Sequence, residues 1–126
     1  MPALPWTTVR TPDPTTTYVA FATRLPLSRH RYIPGFLRDT VRIRRQLRGA
    51  PGLLGYGLLA ELGRATFWTV SVWEDEAALR AFAAAEPHRS VMRRVPARMG
   101  ASAFRPFDVR GADVPIAWRD VKTRLA

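Results

Sequence analysis

From Thr17 to Leu25 the chain alternates, with Val19, Phe21, Thr23 and Leu25 on one side and Tyr18, Ala20, Ala22 and Arg24 on the other. A β-branched, aromatic run of period two predicts a strand. The period then changes. After Pro34, which suits a first helical turn, Phe36, Thr40, Ile43 and Leu47 recur at helical spacing, with Leu37 and Val41 beside them and Arg38, Arg42 and Arg45 on another face. Gly49 and Pro51 stop that helix. Residues 52–62 read as a second strand, in which Gly52, Gly55 and Gly57 weaken the pairing unless something approaches the backbone closely. A tight turn at Gly63-Arg64 leads to a third strand, residues 65–73, so the two form a hairpin. Phe67, Thr69, Ser71 and Trp73 share one face; Thr66, Trp68, Val70 and Val72 share the other.

Asp75 is placed to cap a helix carrying Ala78, Leu79 and Phe82 inward. Pro87 opens more helix, where His88, Met92, Val95 and Met99 form one stripe before Pro96 ends or kinks it. Residues 101–109 make a fourth strand, which Pro106 confines to a sheet edge. The order β-α-β-β-α-β predicts an α+β, ferredoxin-like domain over residues 17–110. Residues 1–16, with four prolines, predict an extended arm that Trp6 pins to the body. Residues 111–126 predict a tail with a short helix from Pro115, anchored by Trp118, Val121 and Leu125. Two helices cover one face of a four-stranded sheet, so the other face is expected to be bare and a homodimer to cover it.

Composition narrows the chemistry. The chain has no cysteine, which removes thiol catalysis and thiolate metal sites. The two histidines, 58 positions apart, supply too few ligands for a usual metal site. No phosphate loop and no serine-nucleophile motif is present. A hydrophobic share of 47% marks a globular chain, and the start of the chain lacks a signal-peptide pattern, so the expected setting is cytoplasmic, with no membrane span. The net charge of +10 raises nucleic acid as a partner. Of the 20 basic residues, however, Lys122 is the one lysine, and the arginine-rich first helix lacks a nucleic-acid-binding context. Charge-driven nucleic-acid binding is thus the disfavoured alternative. Tyr56, Trp68, Trp73 and Phe82 are candidates to line a pocket for a flat apolar molecule near His88, or to be core; the two tryptophans fall on opposite sheet faces.

The stretch from Ala50 to Met92 contains Pro51-Gly52-Leu53 at the start of a strand, Phe67-Trp68-Thr69, Ser71-Val72-Trp73-Glu74, a Leu79–Phe82 helix and Pro87-His88. In these pieces it resembles the antibiotic-biosynthesis monooxygenase-like superfamily of dimeric α+β barrels, and more narrowly the branch grouped with spheroidene monooxygenase-like proteins. The resemblance implies a ferredoxin-like protomer paired into a dimeric barrel, with a ligand site between each sheet and its own helices. It implies oxidative chemistry on a small apolar substrate, aromatic or polyene, either without cofactor or with haem. His88 is then the candidate catalytic acid-base group, with Tyr56 beside it, or the axial ligand of haem iron, the one metal role expected. Arg45, Arg89 and Arg93 are the candidates to hold haem propionates, and Trp68, Trp73, Phe82 and Met92 to line the substrate pocket. In the haem-degrading relatives the iron-binding histidine would fall where Met92 stands, and a tryptophan where Phe82 stands; both depart from that pattern. The alternative to an enzyme is a non-catalytic carrier of a hydrophobic ligand or of haem.

Overall fold

The computed structural model describes residues 4–126. Strand β1 (Thr7–Thr8) precedes β2 (Thr17–Pro26), helix α1 (Ile33–Arg48), β3 (Leu53–Glu61), β4 (Thr66–Trp73), α2 (Glu76–Ala84), α3 (His88–Arg94), β5 (Ala103–Arg110) and α4 (Trp118–Leu125). The sheet runs β1-β3-β4-β2-β5, every neighbouring pair antiparallel. Apart from β1, this is the ferredoxin-like α+β fold. Of the arm expected over residues 1–16, residues 1–3 lie outside the described residues; Thr7 and Thr8 pair with Tyr56 and Gly55.

Local chemistry explains the element ends. Pro34 lies in the first turn of α1, where an amide hydrogen has no helical partner anyway. The Asp75 side chain accepts a hydrogen bond from the Ala78 amide (2.8 Å), capping α2. Pro96 follows the end of α3, which tightens into a short 3-10 turn over Val95–Arg98. Pro106 lies in β5, the outermost strand, where its missing donor costs no ladder bond toward a further neighbour. Gly52 has φ +81° and abuts α2: a Cβ there would stand 2.7 Å from that of Ala78, so a side chain is excluded on both counts.

Period two sorts the sheet into a near face, beneath α1, α2 and α3, and a far face. The far face presents Tyr18, Ala20, Ala22, Val70 and Val72, all buried. The bare face expected from the element count is not found. Ile116, Val121 and Leu125, from the tail and α4, are buried against it, and Trp6 and Trp118 pack alongside. The glycines of β3 make this possible. A Cβ on Gly55 would stand 2.6 Å from Trp6 Nε1, and one on Gly57 would stand 3.3 Å from both Trp6 and Trp118. The two indoles thus lie on backbone that has no side chains to hold them off. Around them, the Trp68 Nε1–H donates to the carboxylate of buried Glu61, which pairs with Lys122 of α4 (3.5 Å). The Lys122 ammonium also lies over the Trp68 ring, 5.0 Å from its centre. The chain covers with its own ends the surface assigned beforehand to a second copy.

Two measurements check this. Val121→Ala removes methyl groups from a fully buried position, and chemical denaturation should show a loss of about 2 kcal/mol. A chain ending at Asp113 uncovers the apolar far face, and light scattering should show it gaining mass relative to the full chain.

Candidate functional site

Along the near face of β4, large side chains stand at the two ends, Phe67 and Trp73, and small ones, Thr69 and Ser71, in the middle. At one end Phe36 of α1 meets Phe67 of β4 (ring centres 4.4 Å apart), flanked by Leu25 and Leu27. At the other, Leu47, Leu53 and Trp73 pack with Leu79 and Phe82. Between these two pillars the sheet offers Thr23, Thr69 and Ser71, too short to reach the helices. The result is a cavity of about 520 Å³, within the usual range for small-molecule sites. Its lining reaches from Phe104 and Pro106 of β5 to Leu4, Pro5 and Thr7 of the arm, across all five strands. At ordinary strand spacing that is roughly 19 Å. A space this broad, roofed by helices packed on a sheet, is a slot suited to a flat molecule.

The walls are mostly apolar, with a few placed polar groups. Thr23 and Thr69, directly opposed on β2 and β4, hydrogen-bond through their hydroxyls on the floor. Ser71 accepts from Trp73 Nε1–H (2.8 Å), and the Tyr56 side chain borders the same space. Trp73, Phe82 and His88 form a column, with ring centres 5.2 Å and then 5.1 Å apart. The His88 Nδ1 lies 3.1 Å from the Ala83 carbonyl oxygen. A carbonyl accepts only, so Nδ1 carries the proton and Nε2 keeps a free lone pair. Burial pushes the imidazole below its ordinary value of 6.5, partly opposed by the Ala83 hydrogen bond. His88 is therefore a neutral base near pH 7.

His88 is held from a second direction. The Gln46 amide of α1 donates to the Phe82 carbonyl (3.1 Å), and its oxygen accepts from the His88 backbone N–H (3.0 Å). One side chain thereby ties the end of α2 to the start of α3. A buried carboxylate, Asp39, also borders the cavity and pairs with Arg94 (3.3 Å) and Arg42 (3.8 Å).

The expected site residues divide. His88, Tyr56, Trp73, Phe82 and Met92 all border the cavity. Trp68 does not: it lies on the far face with Glu61 and Lys122, as β4 alternation requires. Arg45, Arg89 and Arg93 are exposed and outside the cavity lining, and Arg89 instead pairs with Glu86 (3.5 Å). None of the three borders the cavity, where the propionate role placed them. Arg44 and Arg80 are the arginines bordering the cavity, and Arg80 is already paired with Glu76. The residues present therefore do not fit haem as expected. Thr23, Thr69, Gln46 and Asp39 were not singled out from the sequence. The alternation of β2 and β4 had put both threonines on the face shared with Trp73, whereas the roles of Gln46 and Asp39 depend on how α1 packs on α3. Among the described residues no three His, Asp or Glu side chains gather as a metal site, and no helix is long and apolar enough to cross a membrane.

Residues 33–94, from α1 through α3, match the model of the family described as antibiotic biosynthesis monooxygenase. None of the curated proteins matches the chain. Among solved structures, one titled an antibiotic biosynthesis monooxygenase is 18% identical, with a TM-score of 0.65 over 72% of this chain and 97% of that one. SnoaB, a cofactor-independent oxygenase from Streptomyces nogalater, is 21% identical, with a TM-score of 0.57 over 75% of this chain and 95% of that one. A conserved protein from Methanosarcina mazei Go1 is 11% identical, with a TM-score of 0.64 over 71% and 90%. At these identities the likenesses show the fold alone. SnoaB is also known as a variant with an asparagine replaced by alanine, whereas this chain contains no asparagine at all.

The depressed basicity of His88 has a sign that can be checked. The unfolded chain takes up its proton near pH 6.5 and the folded chain only at lower pH. Stability from this group is present above 6.5 and is lost as pH falls toward the folded value. A nuclear magnetic resonance titration should place the His88 midpoint below 6.5.

Proposed function

We propose that the chain is a cofactor-independent oxygenase of a flat, apolar, acidic phenol or enol, a reading supported by the match of residues 33–94 to the antibiotic biosynthesis monooxygenase family. The observation that carries this reading is a neutral histidine, one nitrogen tied to a carbonyl and the other free, bordering an apolar slot wide enough for fused rings. SnoaB, named as a cofactor-independent oxygenase on the same fold, supports the absence of a cofactor.

The chemistry follows from these groups. Trp73, Phe82 and Met92 hold the rings of the substrate, and exclusion of water strengthens every polar contact inside. His88 Nε2 accepts the acidic proton, leaving an electron-rich anion. Hydroxyls on the floor and the Tyr56 phenol are placed to donate hydrogen bonds to its oxygen. The anion passes electrons to dioxygen, and a carbon–oxygen bond forms to give a hydroperoxide. Where that carbon began as a CH₂ group, loss of water gives a carbonyl: one oxygen atom stays in the product, the other leaves as water with the two hydrogens. His88, as imidazolium, returns a proton to the departing oxygen. No step passes through haem or a metal.

The alternative within this site is a carrier of the same class of molecule. The two separate by oxygen uptake with polycyclic phenols. Turnover in His88→Ala should fall about a hundredfold or more, while ligand binding persists, and the acid limb of kcat/KM should lie below pH 6.5. Binding without any oxygen uptake across the panel would leave the carrier. A Soret band that survives gel filtration in the wild type and is lost in His88→Ala would restore haem.

A further inference from the structure

We propose that the N-terminal arm is the specificity-determining wall of the cavity, setting how far a flat ligand extends across the sheet; this rests on the slot being a ligand site. The arm lies along the edge of β3, at the opposite end of the slot from Phe104 and Pro106. It is held there by backbone, not by the cavity's own packing. The Leu4 amide donates to the Leu58 carbonyl (3.0 Å), Thr7 pairs with Tyr56, and the Val9 and Arg10 amides donate to the Leu54 carbonyl (2.8 and 3.0 Å).

Strand alternation then divides its side chains between the two faces. Pro5 and Thr7 border the cavity, whereas Trp6 crosses to the far face and lies on Gly55 and Gly57. A β3 with side chains at those glycines would have no room for Trp6, so the arm would lose its side-chain anchor and keep only its backbone pairing. The arm therefore straddles the sheet edge: its indole is fastened in one layer and its small residues close the other. Leu4, the outermost arm residue that borders the cavity, is a large apolar side chain and is 43% exposed. It stands at the rim, where its size alters the length of the slot without disturbing the core.

The test is binding in the absence of oxygen, read by fluorescence with naphthol, anthrol and hydroxytetracene as probes of increasing length. Leu4→Trp should weaken hydroxytetracene about tenfold, a shift of roughly 1.4 kcal/mol, and leave naphthol unchanged. Leu4→Gly should leave naphthol unchanged and bind hydroxytetracene at least as well as the wild type. Changes equal across the three probes, no change in either variant, or no binding of any probe would each overturn the proposal. Because no turnover is read, failure of the oxygenase reading would show separately, as length-selective binding without oxygen uptake.

Discussion

A sheet that is apolar on both faces has to be covered twice, and this chain does so by laying two indoles on bare backbone. Trp6 and Trp118 reach the far face because Gly55 and Gly57 present no Cβ to hold them away. With them come α4, whose Val121 and Leu125 are buried, and the arm, which adds β1 to the edge of β3. The near face depends on the same contact indirectly. The arm that Trp6 fastens on one side of the sheet supplies Pro5 and Thr7 to the cavity on the other. Glycine within a strand normally costs stability; here the loss is offset by large aromatic surfaces removed from water.

The near face solves the opposite problem. Filling it completely would leave no site. The aromatic pillars, Phe36 on Phe67 and Trp73 on Phe82, keep the helices apart from the sheet, and threonine and serine between them leave the space open. His88 reaches this space as the last member of the Trp73–Phe82 column. Apolar neighbours lower its affinity for a proton, while Ala83 and Gln46 hold its ring and its backbone. One arrangement thus provides shape, desolvation and a base in a defined tautomer, which are the requirements for proton abstraction from an apolar acid.

Much of this was legible from residue order. Period two in β2 and β4 put Phe21, Thr23, Thr69 and Trp73 on one face and Trp68 on the other, and the structure has the same division. The spacing of His88 and Met92 put both on one helix face, and both border the cavity. What could not be read was which polar residue faces inward when neighbours alternate in type. Arg44 borders the cavity and Arg45 does not, although they are adjacent arginines. A rotation of about 100° per residue separates them, and the docking angle of α1 decides between them. Asp39 and Gln46 were equally silent, because each acts on α3, about forty or more residues further along the chain.

The sequence by itself determined the elements and their faces, since alternation, helical spacing, proline and glycine act over a few residues. It also determined that thiol chemistry is absent and that a histidine lies near aromatics. The tertiary structure decided what covers the far face. Counting elements left that face bare and assigned it to a second copy, because the count treated the arm and the tail as accessories. Their burial depends on contacts between Trp6, Gly57 and Trp118, distant in sequence and adjacent in space. Such contacts leave no periodic trace, so only the folded chain shows that it closes its own sheet and walls its own cavity.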